Sequence, residues 1–331
     1  MSEKIIMLRG NGDFTVEQFL DIMEGKNEKR LMLSLGLTTG PGCNMDCIYC
    51  YNESGRTEAG RPVRHRMKFA DYEKAILESS SLGAQSVILV GVGETMMDKN
   101  FRKLIELIST EGMIPLIFTN GTLLTRETAN FLYKHGTSIY LALDSTRENV
   151  FDKITGSKGM LPVVLQGVDN CLEAGFGKTT VRNGHSVTDF AVNTMLMKSN
   201  MNYLDEIEDF CQEKGLLFTC RFPEKIGAAC SYWESHIAAT VEEENLMRNI
   251  AEKHSAGGEV FRTDSGCLFW MAGVLLGIDG QVRLCYSVNN RKDMGNIKQD
   301  SMRTIIRRKR ELYPPQKDYF CPLHLEISAN P

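Results

Sequence analysis

No charge of one sign dominates this chain. Its 38 Lys and Arg residues face 42 Asp and Glu, a formal net charge of −4, so nothing announces nucleic acid or an anionic membrane as a partner. Long hydrophobic runs are also absent. The longest, Leu268 to Ile278, is far too short to span a bilayer. The N-terminus, Met1-Ser2-Glu3-Lys4-Ile5-Ile6-Met7, turns polar without the apolar core of a secretion signal, which points to the cytoplasm. Internal repeats and low-complexity segments are missing as well. At 331 residues, 42% hydrophobic and 24% charged, the chain reads as an ordinary globular protein. That length gives one large domain with an appendage, or two domains. The basic run Arg307-Arg308-Lys309-Arg310 is expected to be a solvated helix face rather than a binding patch.

What the chain does have is ten cysteines. In a reducing compartment they argue for metal or redox chemistry over a disulfide framework. The opening stretch predicts one amphipathic helix. Thr15 caps it, Gln18 takes the capping-box position, and Val16, Phe19, Leu20 and Met23 share a face.

From residue 31 short apolar runs recur at Leu31–Leu37, Ser86–Val90, Ile114–Phe118, Ser138–Leu143, Phe190–Met197 and Leu216–Phe222. Helical periodicity fills the gaps at Phe69–Ser80, Lys99–Glu111, Thr125–His135, Leu161–Ala174 and Tyr203–Lys214. Six such units over about 190 residues predict a parallel sheet with right-handed crossovers. An eight-stranded barrel takes roughly 250 residues, so the α/β fold expected is a partial (β/α)6 TIM-like barrel, with ligands at the carboxyl ends of its strands. After residue 223 the alternation stops. A helix over Thr240–His254 leads to two strands, Gly273–Ile278 and Gln281–Tyr286, around the hairpin signal Asp279-Gly280.

Cys43, Cys47 and Cys50 follow the first strand at CxxxCxxC spacing, in a loop with no periodic buried face. Structural zinc usually takes four ligands in CxxC pairs. Three thiolates leave a fourth position vacant, which suits an iron–sulfur cluster with one open iron. A second constellation, Cys267, Gly280 and Cys285, places two thiols at the base of the hairpin. Cys321-Pro322-Leu323-His324 adds another thiol and an imidazole; a Cys3His zinc site is the competing reading. Cys171 and Cys211 lie on apolar helical faces and read as core. Cys220 belongs to the sixth strand and Cys230 is unassigned.

Cys43-Asn44-Met45-Asp46-Cys47-Ile48-Tyr49-Cys50 resembles the signature of the radical S-adenosylmethionine (SAM) family. Gly91-Val92-Gly93-Glu94 after the second strand resembles its GGE motif, with Val92 in place of a glycine. Thr119-Asn120-Gly121 and Leu143-Asp144-Ser145 lie at the next two strand ends, although Ala142 replaces a common serine. The likeness covers roughly residues 31–222. It implies that the three thiolates hold a [4Fe–4S] cluster whose fourth iron is chelated by SAM. Gly93 and Glu94 would meet the methionine ammonium, Tyr49 would lie near the adenine, and Asn120 or Asn193 near ribose or carboxylate. One-electron cleavage of SAM would then yield a 5′-deoxyadenosyl radical that abstracts a substrate hydrogen. A flavodoxin- or ferredoxin-type protein would donate the electron.

The C-x12-G-x4-C hairpin and Met294-Gly295-Asn296-Ile297 resemble the C-terminal extension called SPASM, or its shorter relative, twitch. Three cysteines instead of seven imply one auxiliary [4Fe–4S] cluster on Cys267, Cys285 and Cys321. His324 is the favoured fourth ligand; an open iron is the alternative. The expected organisation is a helical lead-in over 1–30, a radical SAM core over 31–225, a helical linker over 226–265 and a β-hairpin/helix auxiliary-cluster domain over 266–331. The reaction implied is an oxidation, epimerisation or cross-linking of a small molecule or peptide. The short lead-in has no separate peptide-recognition domain and favours the small molecule. Alternatives are a non-catalytic iron–sulfur or zinc carrier or scaffold, and an RNA-modifying radical SAM enzyme, which the charge disfavours.

Overall fold

Continuous apolar runs form strands covered on both faces, because parallel strands joined by helical crossovers leave neither face to solvent. The computed structural model describes the chain except residues 1–5, 11–13, 16, 19, 20, 23, 24, 26, 41, 53–65, 255–261, 264, 265, 268–271, 285–291 and 314–331. The described elements begin with β1 (Ile6–Leu8), β2 (Ser34–Thr39), α1 (Phe69–Ser81), β3 (Ser86–Gly91), α2 (Phe101–Thr110), β4 (Ile114–Thr119), α3 (Arg126–Lys134) and β5 (Ser138–Ala142). Next come α4 (Glu148–Thr155), α5 (Leu161–Ala174), the hairpin β6 (Thr180–Arg182) and β7 (His185–Thr188), then β8 (Phe190–Met195), α6 (Leu204–Lys214) and β9 (Leu217–Arg221). The chain continues with α7 (Val241–His254), β10 (Arg262–Thr263), β11 (Gly266–Cys267), β12 (Gly273–Leu276), β13 (Val282–Arg283) and α8 (Met302–Leu312).

The main sheet runs β13-β12-β2-β3-β4-β5-β8-β9 and is parallel from β12 to β9. Its six strands from β2 to β9 are those expected from the apolar runs, so the partial TIM-like barrel holds. The first strand starts later than its apolar run, since Leu31 and Met32 spend their N–H groups on Leu82 O, outside the sheet. Thr15 and Gln18 form the expected reciprocal capping pair at 3.1 and 2.9 Å.

Three features were not legible in the periodicity. The eight-residue helix α4 buries Val150, Phe151 and Ile154. The β6–β7 hairpin pairs with β1 in a separate small sheet. From β1, Leu8 packs against Ile88, Leu116, Tyr140 and Ala191 inside the barrel. Gly10 lies against Ser86 and Ile114, where β3 and β4 begin, so β1 plugs the end of the barrel remote from the cysteine loop.

The predicted Asp279-Gly280 hairpin is present, with Gly280 at φ +84. It does not stand apart from the barrel: β12 pairs in parallel with β2, Gly273 opposite Ser34. Helix α1 holds the segment that follows. Lys74 Nζ donates to Ile297 O and Asp300 O at 2.7 and 2.8 Å, and Glu78 Oε2 accepts from Met302 N–H at the start of α8. The basic run departs from the solvated face expected of it. Lys309 is buried with Nζ on Gly273 O, and Arg310 Nη2 donates to Ile22 O and Leu31 O. Backbone carbonyls with a lone pair to spare recruit these cations. No helix among the described residues is long and apolar enough to cross a membrane.

Leu8 is 1% exposed and packs in a barrel layer with Ile88, Leu116, Tyr140 and Ala191. Leu8→Ala is expected to cost about 2–5 kcal/mol, measured as a lower Tm in thermal unfolding.

Candidate functional site

The loop between β2 and α1 carries Cys43, Cys47 and Cys50, and its path is set by strand ends on one side and α4 on the other. Gly40, at φ +62, donates its N–H to Asp98 Oδ2 at 2.8 Å. Gly42 O accepts Glu94 N–H at 2.9 Å, and Thr39 O accepts Val92 N–H at 2.8 Å. A Cβ on Gly93 would fall 2.1 Å from Gly42 O and 2.6 Å from Cys43 N, far inside van der Waals contact. Only glycine permits this approach. On the other flank, Asp46 and Ile48 donate backbone N–H groups to Thr155 O and Ile154 O at the end of α4. There Gly156, at φ +61, passes against Asp46.

The residues after the last cysteine reach back to the same turn. Tyr51 donates its hydroxyl to Gly91 O at 2.7 Å, and Asn52 Nδ2 donates to Val92 O. Cys50 O accepts Ala228 N–H at 2.9 Å, beside Gly227, whose missing side chain leaves room for the Tyr51 backbone. Neither Tyr51 nor Asn52 stood out in the sequence, because no spacing rule marks a residue that anchors through a carbonyl.

Glu94 is 2% exposed. Its Oε1 accepts the Thr119 hydroxyl at 2.8 Å and Met96 N–H at 3.1 Å, while Oε2 accepts Asn120 N–H at 2.8 Å. Burial raises its pKa against the lowering effect of those donors. Asn120 continues the chain of contacts to Asn44 and to Cys43 Sγ, 3.7 Å away. Tyr49 donates its hydroxyl to Asp144 Oδ2 at 2.7 Å, and Asp144 Oδ1 accepts Met195 N–H at 2.8 Å. Burial pushes the Asp144 carboxyl up to about 6 despite these two bonds. Asn193, on β8, has its amide beside Met195 Sδ and the Thr219 hydroxyl.

The structure thus gathers Cys43, Cys47, Cys50, Tyr49, Gly93, Glu94 and Asn120 at the carboxyl end of the barrel, with Asn193 inside β8. Cys171 and Cys211 are buried core residues as expected, Cys220 is buried on β9, and Cys230 is exposed. Cys285, Cys321 and His324 lie outside the described residues, and of Cys267 only the backbone, in β11, is described.

The donor set fits an iron–sulfur cluster. The three thiols are in no disulfide and are partly exposed. Burial, Asp144 and the two neighbouring thiols push the Cys47 thiol well up; burial and then Glu94 raise that of Cys43. Three thiolates in so small a space oppose one another until cationic iron compensates them. No three Cys, His, Asp or Glu side chains among the described residues are grouped around a single metal ion. A polynuclear cluster asks for less, because each thiolate meets an iron of its own.

The glycine contact makes a sharp prediction. Gly93→Ala must move the Gly42–Cys43 backbone, so the protein is expected to fold but to lose the iron that the Cys43, Cys47 and Cys50 loop would hold after anaerobic reconstitution. Full iron content in the variant would remove Gly93 as the spacer of this loop.

Among known proteins, residues 37–210 match the model of the radical SAM superfamily. The chain is 31% identical over 236 residues to the Fe-coproporphyrin III synthase of Methanosarcina barkeri, covering 68% of this chain and 54% of that protein. It is 26% identical over 220 residues to a probable GTP 3′,8-cyclase of Methanococcus vannielii, covering 66% of this chain and 67% of the relative. Against the first of these the chain therefore spans about half the relative's length. Among solved structures, Streptococcus suis SuiB bound to the precursor peptide SuiA superposes with a TM-score of 0.62 at 15% identity, over 95% of this chain and 70% of SuiB. The structure of anSMEcpe with bound AdoMet gives 0.58 at 14% identity, over 85% and 83%. At such identities these two likenesses speak for the fold alone. With the family model matching more than half of its length, the chain belongs to the radical SAM superfamily, whose enzymes work with a [4Fe–4S] cluster and SAM.

Proposed function

We propose that this chain reductively cleaves SAM at a cluster held by Cys43, Cys47 and Cys50, and uses the product to abstract hydrogen from a small-molecule substrate. The observation that carries the reading is the mutual locking of the cysteine loop, the Gly91–Glu94 turn and the Thr119–Gly121 turn at one end of the barrel. When bound, the cluster supplies the electron that splits the SAM sulfonium into methionine and a 5′-deoxyadenosyl radical. The chain's own residues orient SAM and keep water from it.

Glu94 suits the methionine ammonium. A carboxylate offers about four acceptor positions, three are taken, and the fourth makes a charge-assisted contact. The Gly93 backbone lies beside it. Tyr49 is fixed by Asp144 and presents its ring to the adenine, while Asn193, half-buried on β8, meets ribose or carboxylate.

A small molecule is the preferred substrate, because the sequence relatives are named for coproporphyrin and GTP chemistry. The outcome proposed is an oxidation, with epimerisation or cross-linking as variants of the same hydrogen abstraction. An auxiliary [4Fe–4S] cluster on Cys267, Cys285 and Cys321, with His324 as fourth ligand, would take up or return the substrate electron. A flavodoxin or ferredoxin in the cytoplasm would supply the first cluster.

Anaerobic reconstitution followed by dithionite and SAM is expected to release 5′-deoxyadenosine, and Cys47→Ala to abolish it. No 5′-deoxyadenosine from the wild-type protein would sink the proposal. For the auxiliary cluster the expectation is about eight irons and eight sulfides per chain, as two [4Fe–4S] clusters require. About half that would remove it, and a His324→Ala variant with an unchanged auxiliary spectrum would remove His324 as its ligand.

A further inference from the structure

We propose that the Asn120 side chain donates an N–H···S hydrogen bond to Cys43 and thereby sets the reduction potential of the cluster which that cysteine would hold; this rests on the cluster assignment of the preceding section. The two ends of an amide cannot be told apart by shape, so its partners must decide. Thr122 places its backbone N–H 3.1 Å from one end of the Asn120 amide. A backbone N–H can only donate, so that end is Oδ1. The nitrogen therefore faces the other way, 2.8 Å from Asn44 Oδ1 and 3.7 Å from Cys43 Sγ. Its two hydrogens match those two acceptors.

The Asn44 amide is fixed by the same logic. The Thr122 hydroxyl donates to Asn120 Oδ1 at 2.7 Å, so it accepts from Asn44 Nδ2 at 2.8 Å. This leaves Asn44 Oδ1 as the acceptor for Asn120. The Asn120 backbone is held as well, its N–H on buried Glu94 Oε2 at 2.8 Å. Main chain and side chain together leave the Asn120 amide one orientation, with a donor aimed at sulfur.

A donor at a ligand sulfur stabilises the more electron-rich, reduced state and raises the potential. Cys43 is only partly exposed, so water competes poorly for that sulfur and the bond keeps its strength. Asn120 is thus a positioning residue acting through Cys43, and its amide hydrogens are already committed within the frame.

The test is a redox titration of the reconstituted full-length protein, followed by the EPR signal that Cys47→Ala removes. Asn120→Ala is expected to shift that signal's midpoint to lower potential. Thr122→Val loosens the same network without touching the sulfur and is expected to leave the midpoint in place. An Asn120→Ala protein with full iron and an unmoved midpoint overturns the proposal, as does a Thr122→Val shift of equal size. Should Asn120→Ala take up no cluster, wild-type protein carrying nitrogen-15 in its asparagine side chains decides. A hyperfine coupling to that nitrogen in the reduced cluster supports the bond, and its absence overturns it. A wild-type protein that takes up no cluster overturns this inference and the cluster assignment together. Failure to cleave SAM, with the Asn120→Ala shift intact, overturns only the SAM-cleaving reading.

Discussion

Everything at the carboxyl end of this barrel depends on a backbone contact that only a residue without a side chain allows. Gly93 lies so close to the Gly42–Cys43 peptide that a Cβ would overlap Gly42 O. The contact ties the loop leaving β2 to the turn leaving β3, and the hydrogen bond from Glu94 N–H to Gly42 O locks it. Gly91 serves the same turn from within, since a Cβ there would strike Gly93 O. Val92, which stands in place of a glycine of the family's GGE pattern, is the one position of Gly91, Val92 and Gly93 where no such approach is needed. Val92 ties the turn through its backbone, N–H to Thr39 O and C=O to the Asn52 amide.

Glu94 extends that constraint from two strands to three. A buried carboxylate is costly unless it is hydrogen-bonded, and Glu94 recovers the cost from donors on the β4 end as well as its own turn. Because Asn120 N–H is one of them, the TNG turn is held to the GVGE turn. The Asn120 side chain then holds the cysteine loop. The three motifs form a closed ring of contacts, so displacement of one moves the other two. Such rigidity is what electron transfer to a bound sulfonium asks of its scaffold, because catalytic geometry tolerates little misplacement.

Much of this was legible in the order of residues, for identifiable reasons. The six strands and their helices announce themselves because buried parallel strands are apolar throughout and amphipathic helices repeat their stripe. Cys43, Cys47 and Cys50 stand out because thiols in a non-periodic loop have no packing role. What stayed hidden has a common character. Helix α4 is eight residues long, too short for its stripe of Val150, Phe151 and Ile154 to repeat. Strand β1 and the β6–β7 hairpin are recognisable only from their partners, which lie far away in sequence. Asn44, Thr122, Tyr51 and Asn52 make hydrogen bonds that reach across 40 to 78 positions, and local spacing carries no trace of such pairings. The Arg307–Arg310 run misleads for the opposite reason. Charge suggests solvent, yet backbone carbonyls at Gly273, Ile22 and Leu31 draw two of its cations inward.

The C-terminal hairpin bears on the same site through β2. An edge strand with unpaired backbone groups is free to shift or to recruit other chains, and β2, the strand that delivers the cysteine loop, would be such an edge in a barrel of six strands. Pairing with β12 over Gly273 to Leu276 gives it a neighbour on each side. Tyr72 of α1 adds its hydroxyl to Thr38 O at 3.0 Å, and the same helix grips the segment after the hairpin through Lys74 and Glu78. The C-terminal hairpin and the helix after it therefore brace the strand on which the cysteine loop depends. Loosening that brace would act on the loop through Thr39 and Gly40, with no residue of the site itself altered.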